Sequence, residues 1–431
     1  MIQIMNNQPI INIGIVGSVA DGKSTCVEKL TGTKTQRHSS EQNRNITIKQ
    51  GYANMKIWKD SDNEFFTTNS NHKKFDNQQG DKCELVNHIS FVDCPGHHEL
   101  IQTTMASTSI MDGAIIVIAV NEPLNFITET NQAKQFDGVI KKPQLIQHLG
   151  AIKLAKIDKI IVCLNKIDLI DKLTLLNRVK EIYEILNYYD IKPYAIIPTS
   201  FNKRIGISYL IKAIMGLFNP SSYSERINNF PIFRISRTFD INKPGTNWEQ
   251  VKGGVIGGTL ISGKLKVGDQ IEIRPGQVSK NKDTNKFVCQ PIKTTILSIK
   301  SETSDLNEII PGGLIGIGTD LDPFYCKNDM LIGNIMGKID QLPNIYDSIR
   351  IKINLIKMFG AKWKPKINDI IILQMSNRIT EAQLINIDKY YHFSLKKPSA
   401  IQDNQHIVIC KEVDKILKIV GEAFFSKDKQ N

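Results

Sequence analysis

Gly17-Ser18-Val19-Ala20-Asp21-Gly22-Lys23-Ser24 fits the pattern GxxxxGK[ST], and its surroundings decide how it reads. An apolar run, Ile10 to Gly17, leads into it, and a helical pattern, Lys23 to Leu30, leads out. Glycines let a chain curl its N–H groups around an anion, and a helix start adds partial positive charge. The spacing therefore predicts a phosphate-binding loop. Lys23 is expected to reach the outer phosphates and the Ser24 hydroxyl to bind Mg²⁺, with Ser18, Val19, Ala20, Asp21, Gly22 and Thr25 completing the cradle.

Isoleucine-rich runs recur at Ile89–Asp93, Ala114–Val120, Lys159–Leu164 and Ala195–Pro198, and helical patterns such as Leu173–Leu186 lie between them. That alternation predicts an α/β domain with a doubly wound, mostly parallel sheet. The texture changes at Asn219-Pro220-Ser221-Ser222. Beyond it come short strands punctuated by Gly, Pro, Asn and Asp, as in Gly253–Leu260 and Lys266–Ile273, and a second break falls near Gly337–Asp347. The expected order is an α/β domain over 9–220 followed by two all-β barrels over 229–338 and 345–426. Two polar stretches, 60–82 and 123–142, read as surface insertions, flexible or partly disordered.

The base is read further along the chain. Asn165-Lys166-Ile167-Asp168 follows a strand, and in NKxD the carboxylate accepts two N–H bonds from guanine that adenine cannot supply. Four letters alone recur in surface loops; the position after a phosphate loop gives them meaning. Thr199, Ser200 and Phe201 follow the next strand as a second guanine-side loop. Asp93-Cys94-Pro95-Gly96-His97 ends another strand. Asp93 is placed to hold Mg²⁺ through water, the Gly96 N–H to sense the γ-phosphate, and His97 to orient an attacking water. Thr47, between these motifs, is the second hydroxyl for the ion, since a hard cation prefers oxygen. The residues so describe a GTPase with Mg²⁺ bound by Ser24, Thr47 and Asp93.

Composition sets outer limits. With 431 residues, several domains are expected. The 55 Lys and Arg against 43 Asp and Glu leave a net charge of +12, which suits an RNA partner but equally a Lys-rich solubilising surface. Seven scattered cysteines with no CxxC argue against a disulfide framework and for a reducing compartment. Met1–Pro9 lacks the features of a signal peptide and no apolar run is long enough to span a bilayer, so the expected location is cytoplasmic, with no membrane partner.

The order of these motifs is similar to that of the translational GTPases. A narrower resemblance lies in Arg44-Asn45-Ile46-Thr47-Ile48-Lys49-Gln50-Gly51-Tyr52-Ala53-Asn54, in Asn242-Lys243-Pro244-Gly245, and in the stretch Lys252–Gly258 through Leu265–Gly268 and Ile273–Gly276. These resemble the initiation factor 2 γ family over roughly residues 10 to 425. The resemblance implies a G domain and two β-barrels, with α and β subunits as partners. It implies GTP-dependent binding of initiator methionyl-tRNA, delivery to the small ribosomal subunit, a GTPase-activating protein and an exchange factor. The related readings are an elongator-type aminoacyl-tRNA carrier, the GTPase subunit of sulfate adenylyltransferase, and a GTP-binding scaffold impaired in hydrolysis.

Four departures stand out. Ser18 and Asp21 replace two histidines of the family's GHVAHGKS loop, and an acid beside the phosphates is expected to weaken binding or slow turnover while the backbone cradle survives. The family's four-cysteine zinc knuckle is reduced to Cys83, with His72 and His88 nearby at spacings that fit no usual site, so no zinc is expected. Ser200-Phe201 stands where the family has Ser-Ala, and the insertion 123–142 has no counterpart.

Overall fold

The computed structural model describes residues 2–34, 51–94, 107–122, 124, 143–283, 287–302, 304–356, 363–413 and 416–430. Thr47, Gly96, His97 and the insertion 123–142, apart from Leu124, lie outside the described residues. The chain divides into two compact units, one over Met1–Pro220 and the other from Ser221 onward.

The first unit is built on a seven-stranded sheet. Its strands are β1 (Ile11–Val16), β2 (Gly51–Lys59), β3 (Phe65–Asn69), β4 (Glu84–Asp93), β5 (Gly113–Ala119), β6 (Ile160–Asn165) and β7 (Ala195–Pro198), in the spatial order β3-β2-β4-β1-β5-β6-β7. From β4 to β7 every neighbouring pair is parallel, while β2 and β3 add an antiparallel edge. Strands β1, β5 and β6 are buried along their whole length, which is why their sequences are continuous apolar runs rather than alternating ones. Around the sheet run α1 (Lys23–Thr31), α2 (Pro143–Leu154), α3 (Lys172–Tyr188) and α4 (Ile207–Leu217). Asp171 caps α3, its carboxylate accepting from the Thr174 N–H. The chain leaves β1 towards β4 on one side and its neighbour β5 lies on the other. The loop after β1 thus opens at the point where strand order reverses, where open α/β sheets bind ligands.

Two differences from the sequence reading have clear causes. The apolar run begins at Ile89, but β4 starts at Glu84, because Asn87 and His88 are polar residues in buried positions. Asn87 donates to the Phe218 carbonyl at 3.2 Å, and a ring nitrogen of His88 lies 2.6 Å from the Met5 carbonyl. Each of these side chains thus has one atom on a backbone carbonyl, which lets the strand continue. The polar stretch 60–82 contains strand β3, paired with β2, and Phe66 and Trp58 pack against Phe75 at its end. Lys56 is fully buried and donates to the carbonyls of Asn6 and His72, tying the N-terminal turn and this hairpin to the sheet.

The second unit holds two seven-stranded antiparallel sheets, and Leu265–Lys266 pairs with Glu308–Ile309 as a small two-stranded one. In the first, strands from Ile232–Phe239 to Ile335–Lys338 form a ring, because the strand Gln270–Lys280 pairs with both Ile335–Lys338 and Phe287–Ser301. Its core is mostly aliphatic, with Ile256, Ile271 and Ile317 fully buried beside Phe233. In the second, Ile345–Ile351 pairs at one edge of the sheet and the directly following Ile353–Leu355 pairs at the other. One nearly continuous segment therefore closes the sheet into a barrel, which removes its exposed edges.

His88 supplies a pH test. Burial, with Lys56 adding to it, pushes its pKa down to about 3 from 6.5. The unfolded chain then takes up a proton that the folded chain refuses. The resulting stability is complete above pH 6.5 and declines as pH falls towards 3. At pH 5 the first unit is expected to have lost about 2 kcal/mol relative to pH 7 from this group. Urea unfolding followed at both pH values checks this, and His88→Gln should flatten that part of the slope.

Candidate functional site

The carboxyl ends of β1, β4, β5, β6 and β7 carry the site. Side-by-side pairing fixes their mutual height: Ile15 faces Asp93, Ala119 faces Asn165, and Leu164 faces Pro198. Three loops thus start at one edge of the sheet.

The loop after β1 keeps a shape that only its glycines permit. Gly22 has φ 99°, and a Cβ there would strike the side-chain amide of Asn165; a Cβ on Gly17 would strike the Val117 carbonyl. Gly22 is also the N-cap of α1, and no side chain caps that helix start. The first N–H groups of a helix lack intrahelical partners, as a phosphate cradle requires. Lys23 is only 7% exposed, and its ammonium donates to the Ser18 carbonyl at 2.8 Å. Burial pushes the Lys23 pKa down, and Asp93 and Asp21 oppose the shift. A buried ammonium beside an uncapped helix start is an arrangement that an anion stabilises.

Asp21 does not face the cradle. It is 1% exposed, and one carboxylate oxygen accepts the Ser18 N–H at 2.7 Å while the other accepts the Ala119 N–H at 3.2 Å. The acid expected to repel phosphate is instead a clasp between the start of the loop and the end of β5. The Ser18 peptide is held at both ends, its N–H by Asp21 and its carbonyl by Lys23. Sequence patterns mark Asp as a loop residue that bonds nearby N–H groups, but they do not point to Ala119, which comes from a different strand.

The second loop holds the residues expected to read the base. Asn165 donates through its side-chain nitrogen to the Asp21 carbonyl at 2.8 Å, and its side-chain oxygen accepts the Phe201 N–H at 3.2 Å. One amide thus ties all three loops together. Lys166 sits at φ 68°, turning the chain so that Ile167 N–H reaches the Thr199 carbonyl. The Asp168 pKa is lowered, first by a hydrogen bond from the Ser200 hydroxyl and further by Lys203, whose ammonium lies 3.8 Å away. The carboxylate stays ionised, as an acceptor of two guanine N–H groups must be. Lys203 lies outside the sequence motifs. Phe201 contributes its backbone only; its ring is 1% exposed and belongs to the core.

The Ser24 hydroxyl donates to Asp93 at 2.7 Å, so two hard oxygen donors converge beside Lys23, a set that suits Mg²⁺. Among the described residues no group of three or more His, Cys, Asp or Glu is placed to hold a metal ion. His88 is engaged with Met5 and His72 with Asn69.

Comparison with known proteins places this geometry. The family model described as the elongation factor Tu GTP binding domain matches residues 8–220, and elongation factor Tu domain 2 matches 253–335. The chain is 35% identical over 432 residues to eukaryotic translation initiation factor 2 subunit gamma of Encephalitozoon cuniculi, covering 98% of this chain and 94% of that protein. It is 36% identical to translation initiation factor 2 subunit gamma of Methanocaldococcus jannaschii, covering 96% and 97%. Among solved structures, a bacterial selenocysteine-specific elongation factor superposes with TM-score 0.70 at 20% identity; the match covers 97% of this chain and 58% of that one. Elongation factor SelB of Methanococcus maripaludis, with a GTP analogue, gives 0.68 at 20% identity over 98% and 80%. Among the described residues no helix is long and apolar enough to cross a membrane.

Two substitutions test the site. Asp21→Asn keeps the shape but turns one acceptor into a donor facing an N–H group, and should weaken GDP binding about tenfold by calorimetry. Asp168→Asn removes the acceptor for guanine and should weaken GDP binding about a hundredfold while improving binding of xanthosine diphosphate, whose ring accepts where guanine donates.

Proposed function

The chain belongs to the initiation factor 2 γ family of elongation factor Tu-type GTPases, and from that premise we propose that it is the GTP-binding subunit that carries initiator methionyl-tRNA to the small ribosomal subunit. The observation that carries the nucleotide part is the Asn165 side chain, which holds the phosphate loop and the guanine loops in one frame. The initiation part rests on similarity along nearly the whole length of named γ subunits.

In this reading GTP binds with its phosphates over Ser18–Thr25 and its base against Asn165, Lys166, Asp168 and Thr199–Phe201. Lys23 leaves the Ser18 carbonyl for the outer phosphates. Ser24 and Asp93, with Thr47, would hold Mg²⁺, and the ion would screen the phosphate charge. Gly96 reports the γ-phosphate and His97 orients the attacking water. The γ-phosphate orders the switch segments, and the ordered segments complete a tRNA surface. Hydrolysis, slow without an activating protein, resets that surface, and an exchange factor restores GTP. The α and β subunits complete the factor, and its place of action is the cytoplasm. We divide the chain for this purpose at 9–220, 229–338 and 345–426, a division supported by the two separate seven-stranded sheets of the second unit.

Filter binding of initiator and elongator methionyl-tRNA, each with a GTP analogue and with GDP, tests the proposal. Tight binding of the initiator only with the analogue is expected. Equal retention of both tRNAs would point to an elongator-type carrier, and no retention of either would leave a GTPase without this cargo.

A further inference from the structure

Lys203 lies beyond the residues placed against the base, yet its ammonium is 3.8 Å from an Asp168 carboxylate oxygen. Its side chain is 61% exposed and that of Asp168 16%. An ion pair of so exposed a lysine usually contributes little, because a long side chain must be held in one place. The backbone that carries this lysine is held at both ends. Ser200 and Ile205 exchange two backbone hydrogen bonds, at 3.1 and 2.9 Å. Between them the Arg204 N–H donates to the Phe201 carbonyl at 3.2 Å, and Arg204 takes φ 58° to close the turn. The buried Phe201 ring anchors one side, with its N–H on the Asn165 amide. On the other side Gly206, at φ 82°, starts α4, and a Cβ there would strike the Pro198 carbonyl.

The turn also links the lysine to the carboxylate through a hydroxyl. The Ser200 hydroxyl accepts the Lys203 N–H at 3.4 Å and itself donates to Asp168. Asp168 sits on a short turn, Ile167–Leu169. The last torsion of an aspartate is broad, so a carboxylate alone on such a turn would rotate. Two guanine N–H groups need both of its oxygens in one plane.

We infer that Lys203 is a positioning residue for guanine recognition: its ammonium, presented by the turn Ser200–Ile205, holds the Asp168 carboxylate in place for the two guanine N–H groups. This rests on the guanine-nucleotide reading of the site and adds to it a residue outside the motifs. A seated base excludes water from one side of the carboxylate, which strengthens the pair. The partners of Asp168 are the Ser200 hydroxyl, the loop's own backbone and the Lys203 ammonium, and together they hold its pKa below the usual carboxylate range. Binding needs the ionised form. Affinity is therefore full at neutral pH and falls as pH drops through that lowered pKa. Without Lys203 one cause of the lowering is gone, and the fall begins at a higher pH.

Calorimetry of GDP binding to the full chain tests this. Lys203→Met should weaken binding about threefold at neutral pH and low salt, and by more at about pH 5. The difference should close in about 1 M salt, where an exposed pair is screened. Lys203→Arg should restore most of the affinity. In the Asp168→Asn background Lys203→Met should cost nothing further, since the carboxylate it holds is gone. A lysine that only supports the fold would show neither the pH and salt dependence nor the coupling to Asp168. Wild-type protein that binds no GDP would overturn the guanine reading and this inference together. GDP bound equally by wild type and Lys203→Met at both pH values, or an equal loss in the Asp168→Asn background, would overturn the inference and leave that reading intact.

Discussion

Asn165 is the point on which the first unit turns. Its side chain reaches back across the sheet to the Asp21 carbonyl and forward to the Phe201 N–H, joining loops that follow three different strands. An amide suits this role because it donates from one atom and accepts at the other. An aspartate there would present two acceptors and lose the bond to the Asp21 carbonyl. Gly22 packs so close to this amide that no other residue fits. The geometry of the proposed phosphate loop is therefore coupled to that of the proposed base loops before any nucleotide arrives. Such advance ordering reduces what binding must spend on arranging the protein.

Asp21 extends the same frame downward. A carboxylate beneath a phosphate cradle would oppose anion binding if it pointed into it. Here both of its oxygens are turned to backbone N–H groups, one in the loop and one at the end of β5. Hydrogen bonds to a charged acceptor are roughly twice as strong as neutral ones. The loop is thus fastened to the rigid part of the sheet, and the helix start remains available for phosphate. The two-histidine pattern of the resembled family is one way to build this loop, and a buried acid is another.

Much of this was readable in advance where one local rule acts alone. The fully buried strands β1, β5 and β6 announce themselves as apolar runs, and GxxxxGKS fixes where the chain turns. Strand β4 was cut short because Asn87 and His88 look like surface residues, although tertiary partners at Phe218 and Met5 accept them. Strand β3 lies within a polar stretch, where Phe66 and Trp58 pack against Phe75. The direction of Asp21 was hidden for the same reason: its partner Ala119 is 98 residues away. In the barrels, Ile345–Ile351 and Ile353–Leu355 are nearly continuous in sequence, yet they pair at opposite edges, a closure that only the three-dimensional register reveals.

The central claim is that the nucleotide site is one preassembled frame, and a crystal structure with GDP and Mg²⁺ tests it most directly. The account predicts that the Asn165 amide stays on the Asp21 carbonyl and that the Asp21 carboxylate stays on the Ser18 and Ala119 N–H groups. Only Lys23 should move, from the Ser18 carbonyl to the phosphates, with Asp168 on the guanine edge. An Asp21 carboxylate swung out of its place, or a base bound away from Asp168, would contradict it.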